Sequence, residues 1–427
     1  MGENQVTELG TAAPPNAAPP DAPGPRDRAS IRRTNLSAVM GLLRDSGPRS
    51  RAQIAADTGL PKPTVTSLVA ELVTLGLVRE GPAQREGAVG RPGTLVHLDG
   101  DAICGIGVEI STSYVHVLAL ALDGTQVYAH RVPLAVKEEG PDATLDVTAR
   151  HVADCLTALD REGRRPAGLT LALPGVIDMA SATVTYAPGI GWRDVAVADA
   201  LRTRVGRAAA GTLPPIAVDN DAKLAALAEY AQIRGSGVRD MLCITGERGI
   251  GAGIVNDGRL LRGADGFAGE VGHMPLDPHR NPCVCGRHGC WETMVGLDAI
   301  LRLAAGGSDP IHDPGLALED RLADLRGRAE AGDPRTVEAL DRVAHDLGLG
   351  LALLTDVLNP RVVVLGGYFT HIGDRFLDRV RETVRARVMA PLAGGCEVRL
   401  SELGFVAAAY GGAHLALDAV YQRPALS

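Results

Sequence analysis

The stretch 266–292 constrains this chain more than any other. It begins Gly-Phe-Ala-Gly-Glu-Val-Gly-His, and after nine intervening residues come Cys283, Cys285 and Cys290. Three of the seven cysteines thus fall within eight residues, downstream of His273. Thiolate and imidazole groups suit a tetrahedral zinc ion, and the intervening glycines allow a short loop to fold back on one point. The pattern predicts a zinc site, and the alternative is a cluster of free thiols in a loop.

Composition bounds the setting of this site. The 427 residues suffice for two or three domains, and 45% of them are hydrophobic. No apolar run reaches the roughly eighteen residues of a membrane span, and no signal peptide is visible. These features predict a cytoplasmic protein that does not span a membrane.

Charge is distributed unevenly along the chain. Residues 26–100 carry eleven Lys or Arg against seven Asp or Glu, although the net charge of the whole chain is −8. A basic segment ahead of an acidic body predicts that only the front part contacts a polyanion.

The front of the chain predicts a disordered tail followed by a DNA-binding domain. Residues 1–28 form the tail, because six prolines fall among small and polar residues in its first 25 positions. Residues 29–100 predict a winged helix-turn-helix with three helices and two strands. Ser50 caps the second helix, which ends at Gly59, and the third helix runs from about Thr64 to Leu75.

The second helix of such a motif enters the major groove of DNA. The exposed residues at its start and the arginines of the Gly-rich wing are therefore the candidate DNA contacts. These are Lys62, Thr64, Thr66, Ser67, Arg85 and Arg91. The alternative is a protein-binding three-helix module with solvated charges.

From about Ile103 strands alternate with helices, which predicts a mixed α/β fold. A hairpin signal, Asp123-Gly124, opens the first half, and Asp257-Gly258 repeats it in the second. This repetition predicts two related lobes with a cleft between them. The first lobe comprises 101–217 and is completed by the C-terminal helix 405–427, and the second comprises 218–404 with the zinc loop.

Polar residues suited to a sugar-sized ligand lie near the predicted cleft. Asp221 follows a strand and opens a helix, where a carboxylate could act as a general base toward a hydroxyl. Glu270, His273 and Glu292 could bind further hydroxyls. For Asp221 alone, the alternative is a carboxylate favoured by the positive end of its helix.

These residues also resemble a known family. Gly249-Ile-Gly-Ala-Gly, Ala268-Gly-Glu-Val-Gly-His and Cys283-x-Cys-Gly-x-x-Gly-Cys-x-Glu are similar to the motifs of the ROK family of repressors, open reading frames and sugar kinases. Val218-Asp-Asn-Asp-Ala, Leu173-Pro-Gly and the winged helix agree with it. The chain is identified as a member similar to the family's xylose and N-acetylglucosamine repressors, with an expected actin-like, hexokinase-like fold of the ATPase type.

The resemblance also implies roles for individual residues. The metal ligands would be His273, Cys283, Cys285 and Cys290, which leave a structural zinc no open position. The sugar contacts would be Asn220, Asp221, Glu270, His273 and Glu292. Asp221 matches the catalytic base of the family's kinases.

Two departures from the kinase pattern concern the phosphate-binding turns. Where ROK kinases carry Asp-x-Gly-Gly-Thr, this chain reads Glu109-Ile-Ser-Thr-Ser113, without the glycines that bring the backbone close to phosphate. The second turn contains Glu247 and Arg248, and a carboxylate there would repel phosphate. Gly366-Gly367, which resembles the turn on the adenosine side of the family's ATP site, is retained. The sequence predicts that the sugar half of the site is kept and that the ATP half is degenerate.

The expected function is a sugar-responsive transcriptional regulator, most simply a repressor of carbohydrate genes. It would bind operator DNA and a sugar or sugar phosphate, as a homodimer or homotetramer, and would have no catalytic activity. The alternatives are an active ATP-dependent sugar kinase with an attached DNA-binding domain and a zinc-stabilised interaction scaffold without a sugar ligand.

Overall fold

The computed structural model describes residues 27–84, 93–208, 213–313, 315–389 and 395–424. Residues 1–26 of the predicted tail lie outside the described residues. The tail was predicted to extend to residue 28, but Arg28 already belongs to the first helix. The DNA-binding domain begins with α1 (Arg28–Ser46), α2 (Arg51–Thr58) and α3 (Lys62–Thr74).

The local sequence explains where these helices begin and end. The Ser50 side chain accepts from the Gln53 backbone while the Gln53 side chain accepts in return, which satisfies two N–H groups at the start of α2. Gly59 adopts a left-handed conformation at its end. Helix α3 begins at Lys62 rather than Thr64, because Pro63 fits a first helical turn that needs no backbone N–H there.

A small antiparallel sheet forms the wing. Its strands are β1 (Arg49–Ser50), β2 (Val78–Gln84) and β3 (Gly93–Leu98), in the order β1-β3-β2. The sequence analysis missed β1, since two residues carry no periodicity. Arg85 and Arg91, at the predicted tip of the wing, lie outside the described residues.

The first lobe is built on a five-stranded sheet. Its strands are β4 (Ile103–Ile110), β5 (Tyr114–Ala121), β6 (Gln126–Pro133), β7 (Arg165–Leu173) and β11 (Ile216–Asn220). A small second sheet contains β8 (Val176–Asp178), β9 (Thr183–Ala187) and β10 (Trp192–Val195). The accompanying helices are α4 (Val136–Arg161), interrupted by non-helical Gly140, and α5 (Val197–Ala208).

The second lobe follows helix α6 (Asp221–Ile233) and also has a five-stranded sheet. Its strands are β12 (Met241–Gly246), β13 (Ile250–Asn256), β14 (Arg259–Leu260), β15 (Val362–Gly367) and β16 (Glu397–Leu400). Its helices are α7 (Glu292–Val295), α8 (Leu297–Ala304), α9 (Leu318–Glu330), α10 (Pro334–Leu358), α11 (Phe369–Ile372) and α12 (Asp374–Arg387).

The two large sheets share one topology. The orders are β11-β7-β4-β5-β6 and β14-β13-β12-β15-β16. In each, an antiparallel meander of the first three strands is continued on the other side of its first strand by two parallel strands. The repetition seen in the sequence is therefore a structural repeat, and the predicted two-lobed α/β fold behind a winged helix is confirmed.

The boundary between the lobes needs a correction. Placed between 217 and 218, it would cut β11, whose last residue Asn220 pairs with Leu173 of β7 in the first sheet. The first lobe therefore extends to Asn220. The C-terminal helix α13 (Ala407–Gln422) packs across β4, β5 and β7 of this lobe.

One apolar core joins the DNA-binding domain to the first lobe. Leu36 and Met40 of α1 belong to the same buried cluster as Leu120 of β5 and Leu417 of α13. The DNA-binding domain is thus packed onto the body rather than hung from a linker. Among the described residues, no helix is both long and apolar enough to span a membrane.

Candidate functional site

A cavity of about 510 Å³ lies between the lobes, and both contribute to its wall. The carboxyl ends of the parallel strands and the helices that follow them meet there, as expected for an open α/β sheet. All five predicted sugar contacts line it, namely Asn220, Asp221, Glu270, His273 and Glu292.

The turn from β11 into α6 positions the first two of these residues. The Asn220 side chain caps the helix by accepting from the Lys223 backbone at 3.1 Å, and its amide donates to the Gly175 carbonyl at 3.1 Å. Asp221 accepts from the backbone N–H of Ala222 at 2.7 Å. Burial, assisted by the charge of Glu247, raises the pKa of Asp221 to about 7. A carboxylate poised near neutrality can accept a hydrogen bond or a proton from a sugar hydroxyl.

A glycine-rich loop positions the next two residues. Gly269 has φ +101°, a conformation that favours glycine, and Gly272 lies against the Ile250 carbonyl without room for a Cβ. Gly269 lies equally close to the Ala252 carbonyl, so the loop packs directly against β13. Glu270 and His273 lie at the two ends of a single 3₁₀ turn and both line the cavity.

The His273 ring also belongs to the predicted metal cluster. One ligand atom from each of His273, Cys283, Cys285 and Cys290 lies within 4.8 Å of the other three. The distance from Cys283 Sγ to His273 Nδ1 and that from Cys285 Sγ to Cys290 Sγ are both 3.7 Å. A tetrahedron with bonds of about 2.3 Å has edges of roughly 3.8 Å. The four residues therefore fit a metal ion.

Glu292 connects this cluster to the cavity. Its Oε1 lies 2.7 Å from Cys283 Sγ and 3.5 Å from His273 Nδ1. Since Nδ1 faces the cysteines, Nε2 is the nitrogen of His273 left for a ligand. The metal cluster and the sugar-sized pocket thus share a wall.

A carboxyl pair occupies another part of the cavity wall. Glu109 on β4 and Glu247 after β12 come from different lobes, and the Tyr114 hydroxyl lies 2.9 and 2.8 Å from their oxygens. Ser111 donates to the other oxygen of Glu247. Burial and then the charge of Glu247 raise the pKa of Glu109 well above its usual range, and burial also raises the pKa of Glu247.

The hydrogen bonds around Tyr114 require a proton on one of the two carboxyl groups. The Tyr114 hydroxyl has one proton but faces three acceptors, because the Phe405 carbonyl is also 3.2 Å away. A carboxyl proton on one glutamate completes the network, which agrees with the raised pKa values. The sequence analysis identified Glu109 and Glu247 but missed Tyr114. No sequence pattern signals a contact between residues this far apart in the chain.

Charges around the pair further connect the lobes. The Arg131 guanidinium stacks over the Tyr114 ring at 3.8 Å and pairs with Glu319 of the second lobe at 2.7 Å. Sequence reasoning missed both residues, since neither belongs to a recognisable motif.

The predicted DNA contacts lie at the start of α3. Lys62, Thr66 and Ser67 are exposed, and Thr64 is half-buried. The Thr66 hydroxyl donates to the Lys62 carbonyl at 3.0 Å, and Arg32 of α1 donates to Ser67 at 3.4 Å and pairs with Glu71. The sequence analysis missed Arg32, whose guanidinium is exposed on this face and is paired with Glu71.

Two sequence models of known families match the chain. The ROK family model matches residues 105–419, and the IclR helix-turn-helix domain matches residues 34–82. Glucokinase of Halalkalibacterium halodurans is 32% identical over 73% of this chain and 94% of its own. The xylose repressor of Bacillus subtilis is 26% identical over 92% of this chain and 97% of its own.

A further relative and two solved structures also resemble this chain. The DNA-binding transcriptional repressor Mlc of Escherichia coli is 26% identical over 92% of this chain and 94% of its own. A ROK family transcriptional regulator homologous to Mlc has a TM-score of 0.72 at 23% identity, covering 92% of this chain and 97% of its own. A ROK glucokinase from Streptomyces griseus, solved with glucose and AMPPNP, has a TM-score of 0.61 at 28% identity, covering 74% and 99%.

Proposed function

Because this chain belongs to the ROK family, we propose that it is a sugar-responsive, DNA-binding transcriptional regulator, acting as a repressor of carbohydrate genes. One observation carries the proposal: a winged helix and a body that holds a sugar-sized polar cavity occur in one chain, and one apolar core joins the winged helix to that body. The named repressors align over both parts, whereas the named glucokinases align over about three quarters of the chain.

The sugar would bind at the wall that carries Asp221, Glu270 and Glu292. Carboxylates and the Asn220 amide suit vicinal hydroxyls, because each can accept from or donate to two neighbouring groups. His273 Nε2 would complete the set. The S. griseus relative was solved with glucose, which supports a hexose-sized ligand in this fold.

The metal would be a structural zinc ion held by His273, Cys283, Cys285 and Cys290. Three sulfurs and one nitrogen at tetrahedral spacing suit zinc, and four protein ligands leave no position for substrate. The ion would fix the His273 ring and the loop that carries Glu292, so that metal binding organises the sugar site.

The DNA contacts would come from α3 and the wing. Lys62, Thr66 and Ser67 are exposed on α3, which supports their role in the major groove. Thr64 is less exposed, while Arg85 and Arg91 remain candidates from the sequence alone. We also propose a homodimer or homotetramer in the cytoplasm, since two half-sites are read by two copies.

A DNA-shift experiment tests the proposal. The purified chain is titrated on DNA from immediately upstream of its own gene, with and without D-glucose, D-xylose, N-acetylglucosamine and their phosphates. We expect one sugar to change the DNA affinity by about 5- to 150-fold. The absence of DNA binding under every condition would refute the proposal, and light scattering of the same sample reports the oligomer.

A sugar kinase is the second candidate, favoured by the glucokinase relatives and by the near-neutral pKa of Asp221. We propose no turnover, because half-buried Glu247 places a carboxyl group where phosphate would have to approach. A coupled ADP-release assay over hexoses and amino-hexoses decides the point. Turnover that Asp221→Asn abolishes would overturn the non-catalytic reading.

A further inference from the structure

Two helices run from the sugar cavity to the DNA-binding domain. Helix α6 lines the cavity with Asp221 at its start, and just beyond its end Arg234 contacts α1. Helix α13 lines the cavity with Ala407 at its start and contacts α1 through Asp418 near its end. At about 1.5 Å per residue, each helix spans roughly 20 Å.

The two helices pack too closely to move independently. Gly411 of α13 lies against the Leu224 carbonyl of α6 with no room for a Cβ. Gly107 of β4 lies equally close to the Ala409 carbonyl on another side of α13. Because packed interiors transmit displacement rather than absorb it, a shift at one end of this pair is expected at the other.

The far ends of both helices meet α1 through a clasp of four charged residues. Arg234 pairs with Asp45 at 3.1 Å, and Arg44 pairs with Asp418 at 3.2 Å and with Asp45 at 2.8 Å. The Arg44 guanidinium also lies 4.8 Å from the centre of the Tyr421 ring. Within the parts of the chain that the structure describes, Arg234–Asp45 and Arg44–Asp418 are the only ion pairs that join the DNA-binding domain to the body.

The clasp differs from the ion pairs of the open surface. All four side chains are partly buried, and they line a cleft of about 310 Å³ between α1 and the two helix ends. By contrast, Arg239 and Asp257 of the second lobe pair at 2.7 Å, and both side chains are more than 60% exposed. Exposed pairs of that kind contribute little, whereas a partly buried clasp is sensitive to small changes in geometry.

We infer that α6 and α13 form a two-helix relay, which couples the sugar cavity to the orientation of the winged helix through the Arg44–Asp45–Arg234–Asp418 clasp. The inference rests on the proposed function. A sugar hydroxyl held by Asp221 or Asn220 acts directly on the first turn of α6. The ligand then favours the arrangement in which it binds best, and the clasp fixes the winged helix accordingly.

The test uses the full-length protein, its upstream DNA, and D-xylose or D-glucose, whichever binds the wild type. Arg234→Met removes one ion pair while keeping the aliphatic stem of the side chain. We expect its sugar affinity and its sugar-free DNA affinity to stay within about 2-fold of wild type. The sugar-induced change in DNA affinity should fall from about 5- to 150-fold to less than about 2-fold.

Three further variants make the test specific. Arg234→Lys keeps the charge and should retain most of the response, whereas Arg44→Met should lose it as Arg234→Met does. Arg239→Met breaks the exposed Arg239–Asp257 pair of the same lobe and should behave as wild type. Thermal melting confirms that each variant is folded, and Arg44→Met serves as the test if Arg234→Met does not fold.

The outcomes separate the relay from the proposed function. If wild type responds to sugar and the two clasp variants, Arg234→Met and Arg44→Met, respond equally, the relay is refuted while the proposed function stands. If no sugar changes the DNA affinity of wild type, the proposed function fails and the relay with it. If Arg239→Met also loses the response, the clasp has no special role and the inference is overturned.

Discussion

Two parts of the same cavity wall are built on opposite principles. At the metal end, Glu270, His273 and Glu292 present hydrogen-bonding groups around a cluster that fits a cation. At the other end, the Tyr114 hydroxyl lies between Glu109 and Glu247, within hydrogen-bond distance of both carboxyl groups. The first end is arranged to receive a ligand, whereas at the second three of the four carboxyl oxygens are already engaged by Tyr114 and Ser111.

Under the proposed function, the difference indicates how a cavity of this family would serve as a receptor rather than as a kinase site. A phosphate group needs backbone N–H donors and positive charge, and the carboxyl pair provides neither. The same pair links the lobes, since Glu109 and Tyr114 belong to one lobe and Glu247 to the other. The residues that we propose exclude phosphate therefore also connect the two sides of the cleft.

The largest expected effect comes from breaking the metal end. His273→Ala or Cys290→Ser removes a proposed ligand, so zinc and sugar binding should be lost together, with sugar affinity falling by at least about 100-fold. Metal analysis and calorimetry measure the two losses. Cys396→Ser, a thiol outside the cluster, is the control and should change neither. Retained sugar binding in a zinc-free variant would contradict the coupling.

The next effect concerns Asp221, which lies between the two ends. Asp221→Asn should weaken sugar binding by about 10- to 100-fold, because a hydrogen bond to a charged group contributes about 1.5–3 kcal/mol. With the pKa of Asp221 near 7, wild-type affinity should rise between pH 6 and pH 8 as the carboxylate forms. Calorimetry at both pH values checks this, and the rise should be absent from the variant.

A smaller effect should distinguish ligands by their charge. A phosphate ester that reaches Glu109 and Glu247 meets carboxyl groups instead of donors, so the free sugar should bind at least about 10-fold more tightly than its phosphate. Competition calorimetry with matched pairs measures the ratio. Tighter binding of the phosphate would show that Lys137, Arg248 or Arg302, which also line the cavity, determine the preference.

The smallest effect tests the carboxyl pair through stability. The raised pKa values mean that the folded protein keeps protons that the unfolded chain has already released. Stability should therefore fall as pH rises above about 4.5, the usual pKa of a glutamate. Glu247→Gln keeps an acceptor oxygen for one of Ser111 and Tyr114, presents an amide donor to the other hydroxyl oxygen and removes the charge. It should therefore raise Tm at pH 8 by about 2–4 °C. Equal melting curves for wild type and variant across pH 5–8 would argue against the shared proton.

The metal end was predictable from sequence because its residues are close in the chain. The three cysteines and His273 lie within one short loop, so spacing alone indicated their chemistry. The caps of α2 were predictable for the same reason, since Ser50, Gln53 and Gly59 act on their own helix.

The carboxyl end could be predicted only in part. Glu109 and Glu247 stood out by departing from the kinase motifs, but Tyr114 and Arg131 join them through contacts between strands and between lobes. The lobe boundary was misplaced for a similar reason, because pairing with β7, rather than any local signal, extends β11 to Asn220. Long-range pairing decides both features, and one sequence does not display it.

The shared core bears on how such regulators can be recombined. Leu36 and Met40 of the winged helix are buried against Leu120 and Leu417 of the body, so a domain exchanged at residue 100 would leave an apolar seam open on both pieces. A chimera that also carries the matching α13 would close only the Leu417 side of that seam, because Leu120 belongs to β5 and α13 itself packs across β4, β5 and β7. For this architecture, the surface that receives the DNA-reading domain is discontinuous in the chain, and its segments are encoded in separate parts of the gene.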